Sequence, residues 1–317
     1  MNYFLGIDTS CYTTSVAIID EHGKLAAESR KLLAVKYGQR GLAQSEMVYQ
    51  HTRNFPLVLE QALAQIEERV QFAAVGVSGY PRPLPDSYMP AFLVGDGYAR
   101  AIAASNNIKL YRISHQENHI FAGIWSAGGP DISDFLAVHV SGGTTETVKV
   151  TSKNHKIDIN LLGGSNDLHA GQFIDRIGVA LGLAFPAGPA LEKLAQSGRA
   201  NAAELPIATR KITVSFSGPE THALRLLNQG TDHHSLAAGV ELCVAETIFR
   251  MIRAAIKETG LKDILVVGGV MANQFIRKHI SDKLTLKENA CLYFPQSKYS
   301  SDNAVGTAYF AFVNRHD

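Results

Sequence analysis

FLGIDTSCYTTSVAII, residues 4–19, and FLAVHVSGGTTETVKV, residues 135–150, can be laid over one another without a gap. Phe4 meets Phe135, Leu5 meets Leu136, Ser10 meets Ser141, Thr13 meets Thr144 and Thr14 meets Thr145, five identities in sixteen positions. Each stretch reads as a short apolar strand, a small-residue turn and a β-branched strand, which is a hairpin pattern. Two such hairpins so far apart point to two similar lobes, each opening with its own hairpin. Coincidence is the competing explanation, since apolar strands and Ser/Gly/Thr turns are common.

The turns carry chemistry of their own. Ser141-Gly142-Gly143-Thr144-Thr145 presents backbone N–H groups and hydroxyls in one concave turn, a natural cradle for an anion. Its counterpart offers Ser10, Thr13 and Thr14, with Asp8 at the strand end to hold a hydrated cation near phosphate. Two tight hairpin turns with no ligand would have the same residues.

Working outward, residues 45–68 read as a helix with an internal proline that should kink or split it. A buried strand is expected over 72–80, irregular chain through the four prolines of 81–90, and a helix over 91–105. AGQFIDRIGVALGL is an apolar-striped helix ended by FPAGPA, and a long amphipathic helix runs from a Ser235 cap to Gly260. Strands alternating with helices imply an α/β protein with mixed sheets.

Bulk composition excludes several classes. The 317 residues exceed the usual single-domain size, so two domains are expected. Lys plus Arg number 30 against 29 Asp plus Glu, so no global charge advertises nucleic-acid binding. Cys11, Cys243 and Cys291 lie far apart with no CxxC, which argues against a disulfide framework or zinc ribbon and fits a reducing cytosol. No run approaches the ~18 apolar residues of a membrane span. A soluble cytoplasmic protein is the expectation.

SHQENHIFAG, residues 114–123, places His115 and His119 one helical turn apart, where both can reach one ion. Glu117 lies on another face, so the HExxH of a zinc protease is missing. A metal site needs a further oxygen ligand from elsewhere. Asp302, in SSDNAVGTAYFAF, is a carboxylate at the start of a helix, where a plain N-terminal cap is the simpler role. Gly268 and Gly269 follow a strand and precede a helix, with Asn273 placed to hydrogen-bond a base or ribose, though a structural glycine turn reads equally well. Asp175 can meet ribose hydroxyls or pair with Arg176, and Gly188 permits close backbone approach or ends a helix.

The order DTSC, HxxxH, VSGG, a DR-containing helix with PAGP, FSG, GGVMAN and SDN, from about Phe4 to about Phe312, resembles the tRNA threonylcarbamoyladenosine transferase family of the TsaD type. The resemblance implies a duplicated actin-like, sugar-kinase-like (ASKHA, RNase H-like) two-lobed fold. It implies an N-terminal lobe over 1–110 and a C-terminal lobe over 111–317, the latter with most of the nucleotide and metal site and with its last helix returning to the N-terminal lobe. By the same resemblance, His115, His119 and Asp302 hold one metal, iron or zinc. Adenylate-binding positions fall on His139, Val140, Ser141, Gly142, Gly143, Asp175, Gly188 and Asn273. Threonylcarbamoyl-adenylate or ATP (with magnesium), tRNA and helper subunits are the implied ligands and partners. The reaction is transfer of a threonylcarbamoyl group to a tRNA adenine.

Some motifs depart from the family pattern. CDET is Cys11-Tyr12-Thr13-Thr14, SGGHT is Ser141-Gly142-Gly143-Thr144-Thr145, and FSGLKT is Phe216-Ser217-Gly218-Pro219-Glu220-Thr221. The GPGL loop is replaced by Ser78-Gly79-Tyr80-Pro81-Arg82-Pro83. A carbamoyltransferase with another acceptor, or a non-catalytic scaffold of the same family, are the alternatives.

Overall fold

The computed structural model describes residues 2–35, 42–153 and 156–316. It divides into two compact units, one of residues 1–128, 153–157 and 301–317, the other of 129–152 and 158–300.

In the first unit, β1 (Asn2–Asp8), β2 (Thr13–Asp20), β3 (Leu25–Leu32), β4 (Gln71–Tyr80) and β5 (Lys109–Ser114) form one sheet in the order β3-β2-β1-β4-β5. β1 and β2 are antiparallel, whereas β4 runs parallel to β1 and β5 parallel to β4. Helices α1 (Gln44–Leu63) and α2 (Phe92–Asn106) close over an apolar core that includes Leu5, Ile7, Val16, Phe55, Val58 and Val77. The proline-rich residues 81–90 contain no helix or strand.

The second unit repeats the plan. Its sheet consists of β6 (Asp134–Val140), β7 (Thr145–Lys153), β8 (Lys156–Gly164), β11 (Asp263–Val267) and β12 (Cys291–Tyr293), in the order β12-β11-β6-β7-β8. Read from the other edge, this is the order of the first sheet, with an antiparallel hairpin followed by parallel strands. Register confirms the duplication. Asp8 pairs with Ser15 and Phe4 with Ile19, while His139 pairs with Glu146 and Phe135 with Val150. All four positions keep the offset of the gapless overlay.

A small ribbon of β9 (Ala208–Arg210) and β10 (Thr213–Ser215) packs on α7 (His233–Thr259), and this unit also holds α4 (Ala170–Ala180), α5 (Gly188–Ala195), α6 (Ser217–Asn228) and α8 (Gln274–Glu288). Phe173, Phe216, Val244, Ile248 and Ile264 fill the core of this unit.

The remaining helices, α3 (His115–Ala127) and α9 (Val305–Val313), belong to the first unit and pack on each other. The units therefore divide at Gly128–Gly129 and not at 110/111. β5 completes the first sheet and α3 packs on β4 and β5, so residues 109–127 stay with it. α9 lies on β1 and β4, with its backbone so close to Gly6 and Gly76 that neither could carry a side chain.

Three local expectations are corrected. Pro56 does not split α1, which is one helix ending at Leu63. The carbonyl of Thr52, deprived of its partner by the proline, accepts a hydrogen bond from the Tyr98 hydroxyl at 3.3 Å. The long helix begins at His233, because Asp232 is its cap and accepts from the Ser235 amide at 2.9 Å. Asp302 is no cap either. Asn303 Oδ1 takes the amide of Val305 at 2.9 Å, which leaves the aspartate to turn elsewhere.

Candidate functional site

In the first unit, α3 starts with a full capping box. Ser114 Oγ accepts from the Glu117 amide at 3.1 Å, and Glu117 Oε2 accepts from the Ser114 amide at 2.6 Å. Glu117 is thereby spent on helix initiation, and the two histidines project from one face. Their Nε2 atoms stand 3.0 Å apart, and Asp302 Oδ1 lies 3.6 Å from His115 Nε2 and 3.5 Å from His119 Nε2. The sequence residues His115, His119 and Asp302 are thus brought together.

Two residues that sequence reading missed complete this centre. Asn118, fully buried between the histidines, donates from Nδ2 to the Asn303 carbonyl at 2.7 Å. Its Oδ1 accepts from the Thr307 amide at 2.9 Å, capping the first turn of α9 from a neighbouring helix. Asn118 so fixes the chain on both sides of its contact and sets Asp302 before the imidazoles. An asparagine in the middle of HxxNH was the available signal. The second is Cys11, whose Sγ lies within 4.8 Å of the ligand atoms of His115 and Asp302.

Asp8 is fully buried, accepts from the Ser10 amide and hydroxyl at 3.1 and 2.8 Å, and approaches His115 Nδ1 at 3.6 Å. Thr13 is also buried, its amide directed at the Ser10 carbonyl at 3.4 Å. Burial alone would lower the His115 imidazole, but the carboxylates of Asp8 and Asp302, each at 3.6 Å, outweigh it and hold it at about 10. Burial would likewise raise the Asp302 carboxyl, yet the imidazoles of His115 and His119, at 3.6 and 3.5 Å, keep it well below the usual carboxylate range. The Cys11 thiol is pushed up to about 12 by burial and by the charges of Asp302 and Asp8. Two carboxylates therefore demand positive charge here.

A divalent ion fits that demand. Donors on a tetrahedral ion with bonds of about 2.0–2.2 Å stand roughly 3.3–3.6 Å apart, close to the observed triangle. Asp8 behind His115 supplies the outer carboxylate typical of metal-bound imidazoles.

In the second unit, the turn after β6 is closed by the Ser141 amide donating to the Thr144 carbonyl at 2.7 Å. Gly142 and Gly143 are exposed, with open space where side chains would stand. The first turn of α4 presses against this turn at Gly171, whose amide donates to the Ser141 carbonyl at 3.1 Å. The Ala170 amide is taken by Thr145 Oγ1 at 2.9 Å. Within the loop the Gly143 amide donates to Ser141 Oγ at 3.3 Å. Gly268, with φ 105°, lies against Val140 and His139, while Gly269 is open and exposed.

Asp175 does not pair with Arg176. Its Oδ1 accepts from the Ala187 amide at 2.7 Å at the start of α5, beside Gly188, and Arg176 pairs with Glu220 at 3.2 Å. Burial pushes the Asp175 carboxyl up, against the hydrogen bonds from the Ala187 and Gly188 amides. Asn273 caps α8, its Oδ1 accepting from the Ile276 amide at 2.9 Å. Its Nδ2 donates to fully buried Glu241 at 2.7 Å, which also holds Arg199 at 3.1 Å.

Two duplicated α/β units with identical sheet order define the actin-like, sugar-kinase-like class. Component A of (R)-2-hydroxyglutaryl-CoA dehydratase from Acidaminococcus fermentans shares this fold, with a TM-score of 0.58 at 18% identity over 100% of both chains. So does a ROK family glucokinase from Streptomyces griseus, with a TM-score of 0.55 at 12% identity over 96% of this chain and 98% of that one. The family model of TsaD, tRNA N6-adenosine threonylcarbamoyltransferase, matches residues 26–309. A tRNA N6-adenosine threonylcarbamoyltransferase of Aromatoleum aromaticum is 30% identical over 96% of this chain and 89% of its own length. The chain belongs to the tRNA N6-adenosine threonylcarbamoyltransferase family. Among the described residues, no helix is long and apolar enough to cross a membrane.

Proposed function

We propose that this protein transfers a threonylcarbamoyl group from threonylcarbamoyl-adenylate to the amino group of a tRNA adenine. The observation that carries the reading is the convergence of His115, His119 and Asp302 within 3.0–3.6 Å of one another, in a chain of this family. These three residues would hold an iron or zinc ion, which when bound supplies Lewis-acid polarisation of the carbamoyl carbonyl.

The chain's own residues do the rest. The exposed Ser141-Gly142-Gly143 turn receives the phosphate that leaves as AMP. Gly269 leaves room for close approach, and Asn273, steadied by Glu241, presents a fixed edge for the nucleoside. Asp175 sets the start of α5, so that Gly188 meets the ligand through backbone. The bond formed joins the adenine nitrogen to the carbamoyl carbon, the anhydride bond breaks, and the nitrogen gives up a proton. Positioning, not a covalent protein nucleophile, lowers the barrier. ATP, magnesium, helper subunits and a cytoplasmic setting belong to the same reading.

The test is threonylcarbamoylation of tRNA in an extract depleted of its own transferase and supplied with helper proteins. Modification restored by this chain and lost with His115→Ala is the expected result. A second reading, a carbamoyltransferase with another acceptor, is favoured by Glu220, which pairs with Arg176 where the family pattern has lysine. Failure to modify tRNA, with metal and nucleotide both bound, would select it.

A further inference from the structure

The turn that carries Cys11 is held from several sides. Cys11 itself adopts φ 46°, a left-handed conformation that costs a residue with a side chain about 1 kcal/mol or more. The Tyr12 carbonyl accepts from the Leu33 amide at 2.8 Å, and Thr14 Oγ1 meets Nδ1 of fully buried His51 at 2.8 Å. On the other side Ser10 is tied to Asp8 through both amide and hydroxyl. This fixed turn keeps Sγ within 4.8 Å of the donor atoms of His115 and Asp302.

We propose that Cys11 is a fourth protein ligand of the metal held by His115, His119 and Asp302, bound as a thiolate. The inference rests on the metal reading above. On binding, the S–H bond of Cys11 and the extra N–H bond of the His115 imidazolium break, sulfur–metal and nitrogen–metal bonds form and both protons leave to solvent, with no change of oxidation state. One thiolate, one carboxylate and two neutral imidazoles then balance a divalent charge, and the carbamoyl oxygen polarised in the reaction would add as a fifth donor. A sulfur donor also sets the selectivity, because thiolate prefers zinc or ferrous iron and disfavours magnesium and calcium. The other cysteines stand elsewhere. Cys243 is buried against the Pro206 carbonyl, and Cys291 is exposed in the second unit.

The experiment is cobalt(II) titration of the metal-stripped full chain, followed by absorption spectroscopy. The expected result is a near-ultraviolet thiolate-to-cobalt charge-transfer band in the natural chain, retained in Cys291→Ser. Cys11→Ser should lose the band and still bind cobalt, with affinity lower by about tenfold or more, the scale set by weakened metal surroundings. Cobalt uptake without the band, or a band that survives Cys11→Ser, overturns the thiolate assignment and leaves the metal reading intact. No uptake by the natural chain overturns both. Should Cys11→Ser fail to fold, alkylation mapped by mass spectrometry decides. Metal must protect Cys11 while Cys291 reacts, and equal labelling of Cys11 with and without metal refutes the proposal.

Discussion

Asn118→Ala tests how the centre is built. The substitution removes one donor and one acceptor, taking the Asn118 hydrogen bonds from the Asn303 carbonyl and the Thr307 amide, both on residues with no exposed surface. Each buried hydrogen bond lost with its partner left behind costs about 1–3 kcal/mol, so the loss should total about 2–6 kcal/mol. Asp302 sits beside Asn303, so the same change frees the carboxylate from its station and metal content should fall with stability. Urea unfolding followed by circular dichroism gives the first quantity, and elemental analysis of the purified variant gives the second. Asn118→Asp keeps an oxygen for the Thr307 amide but loses the donor to Asn303, and should fall between the two. An Asn118→Ala protein with an unmoved urea midpoint and full metal content would show that Asp302 is placed by something else, and the reasoning would fail.

Glu241→Ala strands the Nδ2 of Asn273 and the Arg199 guanidinium, and should cost about 2–4 kcal/mol and weaken ATP binding in calorimetry. Glu241→Gln should be much milder, and equal effects from the two would count against the network. Tyr98→Phe should cost about 0.5–1 kcal/mol in thermal unfolding by orphaning the Thr52 carbonyl. That cost should shrink in a Pro56→Ala background, where residue 56 regains its N–H, and a cycle without coupling would refute the account. Burial would raise the Glu246 carboxyl, but Lys283, Arg250 and His279 pull it down to about 2. A carboxyl lowered in the folded state stabilises above its unfolded value of about 4.3 and loses that contribution as pH falls towards 2. The stability gap between natural chain and Glu246→Gln should therefore be widest at neutral pH and close with acid.

The duplicated architecture was legible because strand register preserves sequence spacing. A gapless overlay of two hairpins becomes, position for position, two identical ladders. The histidine pair was legible because one helical turn is short. Where a residue's partner is remote, the signal vanished. Nothing near Pro56 tells of Tyr98, and nothing near Asn273 tells of Glu241 or Arg199. Asp302 read as a cap because the sequence alone does not say that Asn303 takes that duty. Cys11 shows in the sequence only as a motif residue and a poor disulfide or zinc-ribbon member, since His115 and Asp302 stand more than a hundred residues further along the chain.

The seat of α9 on Gly6 and Gly76 has an outcome for biosynthesis. Domains tend to fold as they emerge, N-terminus first. Here the opening sheet has all five strands by Ser114, yet its covering helix runs from Val305 to Val313. The nascent first unit must wait without α9 while almost two hundred further residues are translated. Chaperone holding at that stage should matter more for this chain than its finished stability suggests.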